Sequence, residues 1–263
     1  MSWFKKRRRK RLMSKSFPAQ WLAIIQRNVP YYQRLSPQDQ YELQRLIQVF
    51  LYEKKFEGCG GLEITDEIRV TIAAQACILL LGGASDFYPR LFSIIVYPHA
   101  FIAKVHQYQP GGLVFEGLQP RLGESWSRGA IVLSWDDILQ GASDIHDGHN
   151  LVYHEFAHQL DSESGDAKGA PRLPKSSMYI AWARVLSREY KTLVNAVINK
   201  RPSLLDQYGA TSPAEFFAVA TEFFFEKPNE LKSMHPDLYE QLRLFYRRDP
   251  ASFFKNGRAE KTC

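Results

Sequence analysis

His154-Glu155-Phe156-Ala157-His158 places two imidazoles four residues apart, with a carboxylate beside the first. On an α-helix, residues i and i+4 stand about 6 Å apart along one face, so both rings can turn onto one divalent cation. Zinc suits that donor pair, and the neighbouring Glu can act on a water that the metal acidifies. Val152, Tyr153, Phe156, Ala157 and Leu160 make the segment apolar, so its helix is expected to be buried and its histidines to require partners. A surface helix carrying these residues incidentally fits such flanks poorly.

A catalytic zinc takes three protein ligands and keeps one position open. The extended pattern His-Glu-x-x-His-x-x-Gly-x-x-His fails, because Asp161 and Ser164 occupy the last two of its positions. Asp161 is better placed to support a ligand or close the helix than to bind metal. His146 and His149 precede the helix and read as ordinary polar loop residues. The segment Pro213–Phe225 carries only two charges, Glu215 and Glu222, on an otherwise apolar helix. An ionised carboxylate in a core is costly unless a cation or several donors meet it. The two acids lie seven residues apart, on nearly one face, and that face must meet something positive. Ser212-x-x-Glu215 is also a capping box, which gives Glu215 a purely structural alternative. Spacing puts Glu215, beside a loop, ahead of Glu222, which is placed deeper and suits steadying a ligating histidine.

The elements that must position these residues follow from periodicity and breakers. Ser36-Pro37 opens a helix running to about Lys55, broken by Gly58-Cys59-Gly60-Gly61. Thr65-Asp66 starts a second, Glu67–Leu81, and the two are expected to pack as a pair. Phe92–Tyr97 and Gly129–Trp135 read as strands, with a turn-rich stretch around Gly111-Gly112 and Gly117 between them. The histidine-bearing helix spans roughly Asn150–Asp161, followed by a loop over Ser162–Lys175. Further helices are expected over Met178–Asn199, from Pro213 to about Glu226, and over Pro236–Tyr246. The fold class is α+β, a short sheet followed by helices.

Composition sets outer limits. The 263 residues are 45% hydrophobic and 24% charged, enough for a sizeable core in an ordinary globular chain. Residues 1–16 hold eight basic residues and no acid, a charge of +8 against +6 for the whole chain, so the rest sums to −2. That run reads as a disordered, solvated arm with weak, salt-sensitive attraction to anionic surfaces, to which Trp3, Phe4 and Leu12 would add membrane contact; no specific nucleic acid is expected. No stretch approaches the roughly 18 apolar residues of a membrane span, and no secretory signal is evident. Cys59, Cys77 and Cys263 are too few and too far apart for a disulfide framework or a Cys-ligated metal, which points to the cytoplasm.

Three segments together resemble the Mlc titration factor A peptidases: Gly123–Trp135, His154–Asp161, and Tyr208 through Phe225. The resemblance extends over about Phe17–Asn256. It implies a zincin core of gluzincin type, similar to that of anthrax lethal factor, with one zinc ion per chain held by His154, His158 and Glu215. In that family the third ligand, within Pro-Ala-Glu, follows an active-site tyrosine by seven residues, as Pro213-Ala214-Glu215 follows Tyr208. The implied activity is aminopeptidase-type cleavage of a peptide substrate, and the implied partner is the Mlc transcriptional repressor of glucose uptake. Glu155 would take a proton from the metal-acidified water and deliver it to the leaving amine, and Tyr208 would donate to the developing oxyanion. The strand Gly129–Trp135 is expected either at the cleft edge, pairing with extended substrate, or as a plain core strand. The division is a basic tail (1–16), one peptidase domain (17–256, with a helical part 17–85 and a catalytic part 86–256) and a short C-terminal tail (257–263). A rival reading keeps the zinc but makes the protein a non-catalytic regulator that sequesters a transcription factor.

Overall fold

The computed structural model describes residues 3–108, 114–121, 123–126, 129–165 and 168–254. The chain begins with α1 (Trp3–Met13), α2 (Ala19–Asn28), a 3-10 turn at Pro30–Arg34 and α3 (Pro37–Glu53). It continues through β1 (Lys55–Gly58), α4 (Asp66–Ile78), β2 (Ser93–Tyr97), β3 (Phe101–Tyr108), β4 (Val114–Arg121), β5 (Gly123–Trp126) and β6 (Ala130–Ser134). Helices follow: α5 (Trp135–Ser143), α6 (Leu151–Ser162), α7 (Met178–Ile198), a 3-10 turn at Gln207–Ala210, α8 (Pro213–Glu226), α9 (Pro228–Met234), α10 (Pro236–Tyr246) and α11 (Pro250–Phe254). The result is a helix-rich mixed fold around a small sheet.

Local chemistry starts these helices where the sequence says they should start. Ser36 Oγ accepts from Asp39 N at 3.2 Å, ahead of Pro37 in the first turn of α3. Thr65 caps α4 and Ser212 caps α8 in the same manner. Ser134 caps α5 as well, a helix the sequence pattern does not announce, and it takes Trp135 out of the expected strand. The expected pair α3 and α4 packs together, with Leu43, Ile47 and Phe50 of the one and Ile72 and Ala76 of the other fully buried.

The four-stranded sheet has the order β1-β2-β6-β5, with the first three strands parallel and β5 antiparallel to β6. This overturns one option for Gly129–Trp135. The strand β6 is flanked on both sides, and Ile131, Val132 and Leu133 are buried, so it has no free edge to offer a substrate. The outer strand on that side is β5. Lys55, expected at the end of a helix, instead opens β1, because Lys54 ends α3 in extended conformation and pairing with β2 takes over. The turn-rich stretch contains the antiparallel hairpin β3–β4, with Phe101 opposite Arg121 and Tyr108 opposite Val114; Gly111-Gly112 lies outside the described residues.

The basic N-terminal run is also corrected: residues 3–13 form helix α1, where charge repulsion predicts a disordered arm. Lys and Arg are good helix formers, and one arginine of the run reaches into the body. Arg9 donates from Nε and Nη2 to both carboxylate oxygens of Glu53, at 2.7 and 2.8 Å, and from Nη1 to Asp86. Its guanidinium lies 4.3 Å from the centre of the Phe87 ring, and Leu12 joins the core. Asp86 and Phe87 belong to a tight strap, residues 84–92, in which Phe87 and Tyr88 both take left-handed φ values of 59° and 50°. Lys54 holds that strap from within, its buried ammonium donating to the Tyr88 and Leu91 carbonyls at 2.7 Å each.

The core is aromatic. Trp182, Phe217 and Phe245 interlock edge to face, and Phe224 stacks on Tyr246, itself edge-on to Phe225. The helix α8 runs through the middle of this cluster, with every residue from Phe216 to Glu226 buried.

Candidate metal centre

The site lies where α6 and α8 pack together. Each is an apolar helix that carries polar groups on one flank only. In α6, Val152, Tyr153, Phe156, Ala157 and Leu160 are buried in the core, which leaves His154 and His158 on the remaining face, one turn apart and edge to face, with ring centres 4.9 Å from each other. In α8, Phe216, Phe217 and Ala220 face the core, and Glu215 at the first turn faces α6.

The three side chains converge. His154 Nε2 is 2.9 Å and His158 Nε2 3.2 Å from the same Glu215 oxygen, and the two nitrogens are 3.2 Å apart. Tetrahedral zinc, with bonds of about 2.0–2.2 Å to nitrogen and oxygen, separates its ligand atoms by about 3.3 Å. The donor set is thus of the right type and at the right spacing for one such ion. Among the described residues, this is the group of three or more His, Cys, Asp or Glu side chains that could hold a metal. Although Ser212 accepts the Glu215 amide in the cap, the Glu215 carboxylate is turned onto the two imidazoles.

Electrostatics press in the same direction. Burial by itself disfavours an imidazolium at His154, but its contacts with Glu215 and Glu222 outweigh that and push its pKa well above the ordinary value. Burial likewise opposes ionisation of Glu215, yet the bonds to His154 and His158 hold its pKa down at about 2. The pocket therefore demands positive charge, and a divalent cation would satisfy it better than a shared proton.

Two further carboxylates complete the surroundings. Glu222 Oε1 lies 2.8 Å from His154 Nδ1, and donation from that nitrogen leaves Nε2 with its lone pair toward Glu215 and His158. The second Glu222 oxygen accepts the Asn150 amide at 2.6 Å. Glu155 is 5% exposed, and its Oε2 has no hydrogen-bond partner among the described residues. Burial raises its pKa, partly countered by the two histidines. A buried, incompletely satisfied carboxylate beside a cation site is costly for stability and is the usual mark of a functional group.

Asp161, which the sequence places either behind a ligand or at the helix end, does the latter. Fully buried, it accepts the amides of Gly169 and Ala170, both at 2.7 Å. Gly169 in turn accepts Trp182 Nε1 at 3.0 Å through its carbonyl. With φ of +74°, a Cβ on Gly169 would stand 2.3 Å from the Pro213 carbonyl oxygen. The loop after α6 is thereby clasped directly onto the first turn of α8, two residues before Glu215.

Tyr208 lies in the 3-10 turn just before α8, which Asp206 caps by accepting the Tyr208 amide at 2.7 Å. Its ring is 54% exposed, 5.8 Å between centres from the His154 ring, so it borders the site from the solvent side. His146 and His149 stay exposed on the loop before α6. The structure thus brings His154, Glu155, His158, Tyr208 and Glu215 into one neighbourhood. Three groups behind them have a faint sequence signal or none. Asn150 caps α6 and bridges four elements, its amide group donating to Gln75, to the Gly141 carbonyl and to Glu226 at 3.0–3.2 Å. Glu226, four residues beyond Glu222, extends the acidic stripe of α8 by one turn. Gln75 gives no signal at all, because its partner is 75 residues distant.

Comparison with known proteins places this arrangement in context. The profile described as glucose-regulated metallo-peptidase M90 matches residues 3–247. The uncharacterized protein slr2042 of Synechocystis sp. is 44% identical over 244 residues, covering 92% of this chain and 89% of that protein. Mlc titration factor A of Pectobacterium atrosepticum is 34% identical over 242 residues (90% and 88%), and that of Serratia proteamaculans 33% over 235 residues (87% and 88%). The matched span includes α1 and the whole of the centre between α6 and α8. By profile and by relatives, this chain belongs to the glucose-regulated metallo-peptidase family M90.

Proposed function

We propose that the protein is a zinc-dependent peptidase of gluzincin type, cleaving peptides from the amino end, with residues 17–256 as its catalytic unit. The observation that carries this reading is the convergence of His154 Nε2, His158 Nε2 and one Glu215 oxygen within 3.2 Å of one another. These three residues would hold one zinc ion, which when bound supplies Lewis acidity toward a water and a substrate carbonyl.

The chain's own groups account for the rest. Glu155, whose carboxyl burial pushes above its ordinary value, is suited to accept a proton and return it to the leaving amine. Glu222 holds His154 in the tautomer that directs Nε2 into the site. Tyr208, exposed at the rim, is placed to donate its hydroxyl to the developing oxyanion. With β6 enclosed, the outer edge of β5 is the backbone available to pair with an extended peptide.

Two of the relatives above carry the name Mlc titration factor A, and a resident Mlc-type repressor is the protein partner we assign on that basis. Cytoplasmic residence fits such a partner; among the described residues no helix is long and apolar enough to cross a membrane. A metal-stabilised regulator without hydrolysis is the rival reading, and it leaves the buried, unsatisfied Glu155 without a task. Glu155→Gln separates the two. It should retain metal and repressor binding while hydrolysis of aminoacyl chromogenic substrates falls at least about hundredfold; undiminished turnover in that variant would remove the base and the mechanism with it.

A further inference from the structure

The helix α1 has two faces with different occupants. Arg9 and Leu12 are buried against the body, and Lys5, one turn before Arg9, lies 3.6 Å from Glu53. Everything on the other side is exposed. Trp3, Arg7, Lys10 and Arg11 follow i, i+4, i+7, i+8 spacing and form one outward stripe, bordered by Phe4 and by Lys6 and Arg8. Lys6, Arg7, Arg8, Lys10 and Arg11 have no carboxylate partner among the described residues; Arg7 lies instead over the Trp3 ring and Arg8 over that of Tyr52. Trp3 and Phe4, 63% and 77% exposed, pack edge to face at the leading end of the helix. Five uncompensated cations and two solvated aromatic rings thus share one side of an 11-residue helix about 16 Å long.

We infer that α1 is a docking surface for an anionic lipid membrane, on which the protein rests peripherally. The chemistry matches on both counts. Lys and Arg are drawn to the negative potential of acidic headgroups, and Trp and Phe are the side chains that settle at the boundary between headgroup and acyl chain. The way α1 is mounted favours a flat partner over a grooved one. The bidentate Arg9–Glu53 pair and Leu12 lay the helix along α3, so only one side of it can be approached. A flat acidic surface can meet that whole side at once and also receive the Trp3 and Phe4 rings, which contacts to phosphates alone would leave in solvent. This inference is independent of any peptidase activity, since none of these side chains belongs to the centre between α6 and α8.

Co-sedimentation of the full chain with vesicles tests it. Binding should appear with phosphatidylcholine–phosphatidylglycerol vesicles, be absent with phosphatidylcholine alone, and fade as salt is raised. Removing two outward cations in an Arg7→Ser/Arg11→Ser variant should weaken partitioning roughly thirtyfold, with thermal melting and metal content unchanged. Vesicle addition should shift tryptophan emission to the blue in the parent and much less in Trp3→Ala. Failure to bind acidic vesicles overturns the inference, as does equal binding to neutral ones. Binding to a DNA duplex or single-stranded RNA more tightly than to acidic vesicles at the same salt overturns it too and assigns α1 to nucleic acid. A double variant that binds vesicles as well as the parent would place the contact elsewhere.

Discussion

The centre between α6 and α8 turns its charges toward one another, whereas α1 commits Arg9 and, more loosely, Lys5 inward and leaves its other cations to solvent. In the centre, Glu215 bridges two imidazoles and Glu222 spans an imidazole and a backbone amide, so each position fixes its neighbours. Along α1, Arg9 alone is fixed, by two acids and a ring. Similar side chains thus serve opposite ends: where partners are supplied by the fold, charge makes a rigid and selective pocket, and where they are withheld, it makes an adhesive surface whose partner must come from outside.

The sharpest way to break the inward cluster is Glu215→Ala. Zinc stoichiometry measured on protein purified without added metal should drop from one per chain to near zero, and hydrolysis should go with it. Normal stoichiometry would move the third ligand to Glu222 or Asp161. Glu222→Gln keeps the shape and weakens the grip on His154, so metal affinity by competition with a chelator should fall about 10- to 100-fold while the chain stays folded. In the outward region the contrast is one of stability. Arg9→Ala strips the nearly buried Glu53 of its bidentate partner and should cost about 2 kcal/mol in urea unfolding. Arg7→Ala should stay within about 0.5 kcal/mol. Equal losses in those two variants would erase the distinction between the faces of α1.

A further expectation, read from pH dependence, concerns Lys54, whose buried ammonium is lowered to about 8 from the ordinary 10.5. Burial penalises its charged form in the folded state, so between these values the unfolded chain binds more protons and stability should rise with pH. That contribution is complete above about 10.5 and fully lost below about 8. Between pH 8 and 10 the parent should therefore gain stability relative to Lys54→Met, measured as the difference between the two unfolding curves, since the tyrosines that ionise in the unfolded chain near pH 10 act equally on both proteins.

Much of the site was legible because its determinants are local. The His154–His158 spacing, the Asn150 start, the Ser212-Pro213 start and the isolation of Glu215 and Glu222 on an apolar helix are all visible within one or two turns, and these helices begin within a residue of expectation. The topology was not, because it depends on distant pairings. Whether β6 lies at an edge is decided by β5 and β2, and Lys55 belongs to a strand only because β2 is there to pair with it. For α1 the run of like charges was a true signal read without its counterpart: Glu53 and Asp86 lie 44 and 77 residues further along. Charge in a sequence announces repulsion at once and attraction only after folding.

Gly169 sets how closely the two halves of the centre can approach. The two helices that would share the ion are separated by some fifty residues of chain, and the nearest covalently short route between them is a backbone approach that tolerates nothing larger than hydrogen. A single methyl group added at 169 would have to displace Pro213 and, with it, the first turn of α8 that carries Glu215, and should leave an otherwise intact protein with weakened hold on its metal.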